Sequence, residues 1–414
     1  MLISFKVENF RSYKDENTLL LTSTSKIQNF PEHVRQIGMV KLLKFIGIYG
    51  DNASGKTNLL KAVSLLKDLV FPTQPFDLDF SFKENESKPT LLEIIFSTEG
   101  FVYQYGIKIQ KQTTPFISLN IIDEYLNLIG NKEVHSKEIF SLAKGINPAL
   151  FTSKDKDVYS LFWQGYQKLS KPLNNRLFLN YINDRDKVIP NSDLSTHFAR
   201  VFNYIKDSLV IIGANSMNMT YIKGDYLSTI TTYVKEFDPS IEEIQLERIP
   251  NDDLSKIIPP ALLNQIQAQL YALTDETITI CINNDINLFI SKDPENNIKC
   301  ETLKLKHSYI HSWFKFADES EGTKKFIVLM SYFSNKNQTK SFFVDELERS
   351  MHPSSSKYIL DFFNHETKDM ETQFIFTTHN PSFMKSSLRR DEIYFVDKDL
   401  YGDSALYPLT DFST

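Results

Sequence analysis

The residues Gly50-Asp51-Asn52-Ala53-Ser54-Gly55-Lys56-Thr57 have the types and spacing of a loop that holds a phosphate chain, G-x-x-x-x-G-K-[ST]. Gly50 and Gly55 let the backbone bend so that the N–H groups of the loop, which includes Asn52 and Ser54, point inward as a nest of donors. The nest lies at the start of a helix, where the dipole favours an anion, so the phosphates are held mostly by backbone. Lys56 adds a point charge for the β- and γ-phosphates, and the Thr57 hydroxyl is a ligand for Mg2+. Asn58 follows directly and completes the set expected to touch nucleotide.

Two later stretches supply acid–base chemistry. Ser341-Phe342-Phe343-Val344-Asp345-Glu346 is a short apolar strand ending in two carboxylates. Asp345 is placed to hold Mg2+ opposite Thr57, and Glu346, turned to the other side, to take a proton from the water attacking the γ-phosphate. Gln373-Phe374-Ile375-Phe376-Thr377-Thr378-His379 is a second apolar strand whose carboxyl end delivers a histidine for the γ-phosphate or the attacking water. In open α/β sheets ligands bind at the carboxyl ends of strands, so Asp345, Glu346 and His379 are expected to converge on the phosphate loop. His307 and His311 would share a face on a helix. Yet Leu303, Leu305, His307, Tyr309 and His311 alternate with Lys304, Lys306 and Ser308, which reads as a strand, and no Glu-based partner motif points to a metal there.

The phosphate loop needs a strand before it and a helix after it. Leu42 to Tyr49 is an apolar run of the buried-strand kind, and Asn58 to Val70 carries Leu59, Val63, Leu66 and Val70 on one helical face for the sheet. Pro72 and Pro75 close the helix, and Asp77 to Pro89 reads as a loop. Leu2 to Val7 alternates, with Ile3, Phe5 and Val7 on one face. Leu91 to Phe96 and Phe101 to Ile109 read as strands, the stripe Phe101, Tyr103, Tyr105, Ile107 and Ile109 being core rather than a stacking platform for bases. Further on strands thin out, Leu194, Phe198, Val201, Phe202, Ile205 and Leu209 follow helical spacing, and Lys154-Asp155-Lys156-Asp157 alternates in sign as a solvated face does. Thr277 to Ile290 returns to strand character. The expected class is α/β, a P-loop NTPase with a mixed sheet flanked by helices. Residues 1–123 and 275–414 form the two parts of its head, and 124–274 a helix-rich insertion.

The 414 residues favour two lobes over one core. With 41% hydrophobic and 24% charged residues the chain is ordinary for a globular protein, which excludes disorder. The net charge of −6 excludes a global basic footprint for nucleic acid. Cys281 and Cys300 are too few for a disulfide framework or a zinc site, which suits a reducing compartment. No apolar run approaches the ~18–20 residues that span a bilayer, and the first strand is no signal peptide, so a cytoplasmic protein without membrane contact is expected.

Taken together, Asn9-Phe10-Arg11-Ser12, the phosphate loop, Glu319-Ser320-Glu321-Gly322-Thr323, Val344-Asp345-Glu346 with Glu348-Arg349-Ser350-Met351-His352-Pro353, and Thr377-Thr378-His379-Asn380 resemble ABC-type ATPases of the RecF and SMC superfamily. Within it the chain is most similar to the single-chain AAA ATPases that accompany abortive-infection and other anti-phage systems, relatives of the OLD and PARIS-type ATPases. The resemblance covers roughly residues 1–110 and 300–414. It implies an ABC-type head that binds and hydrolyses ATP with Mg2+. Ser320-Glu321-Gly322-Thr323 would be its signature segment, departing from the usual Ser-Gly-Gly-Gln, and the signature of one subunit would cover the γ-phosphate held by the other. Ser320 and the backbone at Gly322, ahead of a helix carrying Phe326, Leu329 and Met330, offer donors to an anion, and Ser320 reads equally as a helix cap.

Arg11 resembles the arginine that meets nucleotide near the first strand, and Ser350 and His352 fall in a D-loop-like stretch. The partners implied are a second copy, in a homodimer or higher homo-oligomer joined through ATP-bridged heads, and a separate toxin or nuclease effector. The chain after His379 is too short for a nuclease domain of its own. DNA or a phage component is a further candidate. The implied role is sensor or regulator of an anti-phage system; the alternative is a DNA-repair or chromosome-maintenance ATPase that clamps DNA. A GTPase is disfavoured, because no Asn-Lys-x-Asp stretch follows the loop.

Overall fold

The computed structural model describes residues 1–72, 77–113, 118–130, 136–147, 149, 156–170, 176–184, 193–222, 224–272, 277–293, 295–333 and 339–412. Pro75, Lys154, Asp155 and the expected boundary at 274/275 lie outside the described residues, as do the side chains of Lys156, Asp157 and Leu194. Among the described residues twenty strands and ten α-helices, numbered in chain order, fall into two compact units. One comprises Met1–Ile212, Gln338–Leu347 and Thr367–Thr414; the other comprises Gly213–Asn337 and Glu348–Glu366.

The first unit is built on a six-stranded sheet in the order β11 (Leu209–Ile212), β17 (Ser341–Val344), β18 (Gln373–Thr378), β5 (Phe45–Tyr49), β19 (Ile393–Lys398) and β20 (Ser404–Pro408). All neighbours are parallel except β20, which turns back on β19 at the edge. β5, β17 and β18 are buried at every position. Their middles are therefore apolar, Phe342 to Val344 and Phe374 to Phe376, because a parallel strand covered on both faces has no polar side, and the polar residues at their ends are hydrogen-bonded.

A seven-stranded antiparallel sheet runs β10 (Gly145–Ile146), β9 (Lys137–Ser141), β8 (Ser118–Ile129), β7 (Phe101–Gln112), β6 (Thr90–Thr98), β1 (Leu2–Glu8), β2 (Asn17–Leu20). Helix α1 (Lys56–Val70) packs against β1 and β6 of this sheet and β11 of the other. It consequently buries Leu60, Leu65 and Leu69 as well as the four residues of the expected single face. The buried amide of Gln373 ties the two sheets together. Its Nε2 donates to the carbonyls of Leu2 (2.9 Å) and Leu43 (3.0 Å), and its Oε1 accepts from the Leu2 N–H (2.6 Å) and the Ser341 hydroxyl (3.0 Å).

Several expected elements are redrawn here. The run 42–49 breaks at Lys44: β4 (Val40–Leu43) folds back on β3 (Val34–Ile37), and β5 starts at Phe45. Lys44 is fully buried, its ammonium donates to the Thr367 carbonyl (3.1 Å), and burial lowers its pKa to about 8. A satisfied charge inside an apolar run hides the break from any hydropathy pattern. In β1 a bulge between Leu2 and Ser4 puts Leu2, not Ile3, on the buried side. Leu209 is not helical: α4 (Asp193–Asn203) ends in a π-type turn over Tyr204–Ser208, and Leu209 opens β11. The aromatic stripe of β7 is core from Tyr103 to Ile109, and Phe101 at its end lies under the Arg200 guanidinium, 4.7 Å from the ring centroid.

The segment 124–274 contributes the second half of β8, then β9, β10, α2 (Lys156–Ser170), α3 (Phe178–Asn183), α4 and β11 to the first unit. Glu124 on β8 caps α3 from outside the helix. It accepts hydrogen bonds from the N–H groups of Phe178 (2.6 Å) and Leu179 (3.0 Å) and from the Tyr105 hydroxyl (2.9 Å). Burial pushes its carboxyl up to about 7 against the pull of those three donors. The short α10 (Ser382–Ser386) follows β18.

In the second unit β12 (Ile241–Ile249), β15 (Ile298–His307), β14 (Ile286–Lys292) and β13 (Ile278–Ile282) form an antiparallel sheet, with β16 (Trp313–Lys315) paired to β15. The strand character expected over 277–290 takes the form of a hairpin, turned at Asn283 and Asn284 with φ of 52° and 59°. Asparagine tolerates that left-handed backbone. α6 (Asn251–Ile257) and α7 (Pro260–Ala272) contribute Leu254, Ile266 and Leu270, and the residue capping α6 contributes Ile258, to a core with Leu288, Ile290 and Cys300. α8 (Glu321–Phe333) stacks Phe326 on Phe237 of α5 (Gly224–Phe237) at 4.2 Å, and α9 (Pro353–Glu366) adds Phe362 to the same aromatic group.

His307 ends β15, with Nε2 2.9 Å from Glu319 Oε1 and Nδ1 3.2 Å from Ser240 Oγ, while His311 is exposed beyond the strand. No cluster of three or more His, Cys, Asp or Glu side chains with metal-binding spacing occurs among the described residues. No helix among them is long and apolar enough to cross a membrane.

Candidate phosphate-binding site

β5 delivers the chain to the loop at the carboxyl edge of the central sheet, and α1 carries it away. Inside the loop Ala53 and Gly55 take left-handed backbone, with φ of 62° and 121°. The Lys56 ammonium donates to the carbonyls of Gly50 (2.7 Å) and Asp51 (2.8 Å), so it lies across the loop mouth. Thr57 Oγ1 is 3.0 and 3.2 Å from the two carboxylate oxygens of Asp345. The parallel register that pairs Val344 with Phe376 brings Thr377 beside Asp345, and the Thr377 hydroxyl donates to Asp345 Oδ1 (2.6 Å). Thr377 Oγ1 in turn accepts from the Glu346 N–H (2.8 Å), which holds Glu346 in a left-handed turn of φ 46°.

Asn52, Lys56, Thr57, Asn58, Glu346 and His379 all line one cavity of about 210 Å3, together with Ser54 and Gly55. Its outer wall explains how the loop keeps its shape. The Ser404 hydroxyl donates to the Ser54 carbonyl (2.5 Å) and the Tyr13 hydroxyl to the Gly55 carbonyl (3.1 Å). In a trans peptide the next N–H points opposite to the carbonyl, so pulling these two carbonyls outward aims the N–H groups of Gly55 and Lys56 inward. Asn58 Nδ2 donates to Ser12 Oγ (2.8 Å), and the Ser404 N–H to the Ser12 carbonyl (2.7 Å). The wall also fixes both glycines: a Cβ on Gly50 would stand 2.2 Å from the Val396 carbonyl oxygen, and one on Gly55 2.4 Å from Ser404 Oγ.

The residues suit a phosphate chain with a divalent cation. Ser54 Oγ is buried in the loop without a hydrogen-bond partner, a cation stands at the mouth, and Thr57 with Asp345 offers the oxygen ligands that a hard cation takes. Arg11 is not part of this lining. It sits in left-handed backbone (φ 50°), pairs with Asp77 at 3.0 Å, and lines an adjoining cavity of about 1070 Å3 that shares Asn58 and Lys398 with the first. Ser320 and Gly322 belong to the second unit. There Ser320 Oγ accepts from the Thr323 N–H (3.1 Å) as the cap of α8, and a Cβ on Gly322 would lie 2.7 Å from the Ser350 carbonyl oxygen. Sequence reasoning missed Tyr13, Thr377, Lys398 and Ser404. Only Thr377 carried a readable signal, since pairing the two apolar strands end to end places it opposite Asp345.

A strand, phosphate loop and helix set in a parallel sheet, whose neighbouring strands end in Asp345-Glu346 and His379, with an antiparallel sheet on the far side of α1, define a P-loop NTPase fold of the ABC type. The family model described as "AAA domain, putative AbiEii toxin, Type IV TA system" matches residues 45–385, and the chain belongs to that family. No curated protein matches the chain. Among solved structures it is similar to the SMC head domain from Thermotoga maritima, with 13% identity, 98% of each chain covered and a TM-score of 0.37. It is also similar to the Smc head domain with an extended coiled coil bound to the C-terminal domain of ScpA, from Pyrococcus furiosus, with 13% identity, 99% of this chain and 97% of that one covered, and a TM-score of 0.46. A third is an SmcHead bound to the C-winged helix domain of ScpA, with 14% identity, coverage of 98% and 96%, and a TM-score of 0.44.

Proposed function

We propose that the chain binds ATP with Mg2+ in this cavity and hydrolyses it, and that the ATP-bound form joins copies of the chain to control a separate effector in abortive-infection defence. The observation that carries the reading is the linked set Thr57, Asp345 and Thr377, which joins the phosphate loop to the acidic strand end, with Glu346 and His379 on the same cavity.

In this reading the loop N–H groups and Lys56 bind the phosphates, and Thr57 and Asp345 hold the cation. Mg2+, when bound, neutralises charge on the β- and γ-phosphate oxygens. Glu346 takes the proton of the attacking water, and His379 orients that water or the γ-phosphate. Ser320 and Gly322 serve as the signature of a second copy. The defence role is supported by the family description, which names a toxin of a type IV TA system.

Glu346→Gln is expected to keep ATP bound, lower hydrolysis by about 10²- to 10⁴-fold and accumulate dimer or higher assembly in sedimentation, whereas Lys56→Ala loses nucleotide. Hydrolysis by Glu346→Gln at the unmodified rate would remove Glu346 from the role of base. An effector that co-purifies equally well with the intact chain and with Lys56→Ala, in the presence of ATP, would sever nucleotide from effector control.

A further inference from the structure

We propose that Lys398 is a second phosphate-binding cation, serving the α-phosphate where the phosphate chain meets the nucleoside. The inference rests on the nucleotide reading above and deepens it by naming a residue that neither the motifs nor the resemblance assigned. Lys398 lines two cavities: the one of about 210 Å3 at the phosphate loop, and the one of about 1070 Å3 that is also lined by Arg11 and Tyr401. Lys398 and Asn58 are the residues common to both linings. The smaller cavity has the size and donors for a phosphate chain, the larger the room for a base and sugar. A group at their junction faces the phosphate nearest the sugar.

The backbone that carries Lys398 is held against the loop rather than hanging beside it. β19 pairs in parallel with β5 through Ile393, Tyr394 and Phe395, and the Val396 carbonyl closes on Gly50. The turn beyond it is ordered by Asp399, whose Oδ1 accepts from the N–H groups of Tyr401 (2.9 Å) and Asp403 (2.8 Å). Asp403 in turn accepts from the Lys14 N–H (2.9 Å), and Ser404 grips Ser54 and Ser12. The Lys398 side chain is exposed, and its ammonium has no ion pair or hydrogen bond among the described residues. A lysine stem on a fixed backbone is flexible enough to turn its head into either cavity, and charge-assisted bonds to phosphate are the strong ones.

The test is equilibrium titration of ATP, ADP and AMP into the full chain and into Lys398→Ala and Lys398→Arg, at two salt concentrations. Lys398→Ala is expected to weaken ATP, ADP and AMP by the same factor, about tenfold, with a shallower salt dependence, and Lys398→Arg to restore most of the loss. A loss confined to ATP, or shared by ATP and ADP but absent for AMP, would move Lys398 to the γ- or the β-phosphate and overturn the assignment. Unchanged affinity in Lys398→Ala, with the intact chain binding ATP, would overturn it as well and leave the nucleotide reading standing. Absence of ATP binding by the intact, folded chain would end both.

Discussion

Asp345 and Glu124 are two acids withdrawn from solvent in the same compact unit, and they are held in different ways. Asp345 ends a strand of the parallel sheet and is held by two side-chain hydroxyls, those of Thr57 and Thr377. Glu124 lies within an antiparallel strand and is held by two backbone N–H groups at the start of α3 and by the Tyr105 phenol. A threonine hydroxyl rotates and can accept as readily as it donates, so the donors around Asp345 can give way to a cation and become co-ligands. Backbone N–H groups of a helix end do neither. The first arrangement is a site that can exchange partners; the second is a cap that is complete as it stands.

The comparison breaks most visibly if each acid is removed in turn. Asp345→Ala is expected to lower ATP turnover by about 10³-fold, close to 4 kcal/mol of barrier, because both the proposed cation ligand and the anchor of Thr57 go together. Steady-state phosphate release at saturating Mg2+ and ATP measures this. Glu124→Ala should instead leave turnover per folded molecule unchanged and cost about 3 kcal/mol of stability in urea unfolding, since three buried donors lose their acceptor. If Glu124→Ala proved silent in stability, or halted turnover in a chain that remains folded, the distinction between site and cap would fall.

A gentler probe of the same contrast uses pH. The Glu124 carboxyl is raised from its ordinary 4.5 to about 7 in the folded chain, so folding takes up a proton between those values. Stability contributed at this position is full below about pH 4.5, falls as pH rises through the window, and levels off above about 7. The total change is on the order of 3 kcal/mol. Glu124→Gln keeps the shape and one of the two acceptor oxygens but cannot ionise, so beyond a constant offset from the lost acceptor the difference in unfolding free energy between the two chains should change steadily from pH 4.5 to 7. Parallel stability curves for the two chains would show that Glu124 does not titrate in this window.

What could be read in advance follows the same line. The phosphate loop, the Asp345-Glu346 strand end and His379 were legible because each depends on local residue types, and because a parallel strand buried on both faces has an apolar middle. Thr377 was within reach once two such strands were paired. The rest depended on distant residues. Nothing near Ser404 or Tyr13 marks them as the outer wall of a loop some 350 and 42 residues away in the chain. Nothing near Lys44 shows that Thr367 accepts its ammonium. The hairpin at Asn283-Asn284 went unread for a different reason, since apolar residues on both sides carried the strand pattern straight through a turn that left-handed asparagines make.

The smallest effect concerns that outer wall. Ser404→Ala removes one hydroxyl, far from any catalytic role, whose single bond holds the Ser54 carbonyl outward. The bond is worth about 1 kcal/mol, and the adjoining Gly55 N–H is aimed by the same peptide plane. ATP affinity is therefore expected to fall about fivefold, with melting temperature lowered by a few degrees at most. Gly55→Ala cannot stand in for this experiment, because its φ of 121° strains any side chain even after Ser404 is trimmed. An affinity unmoved by Ser404→Ala would mean that the loop holds its donors inward unaided. The site would then be as self-contained as the Glu124 cap, and the contrast drawn between them would narrow to the choice of hydroxyl or backbone donors.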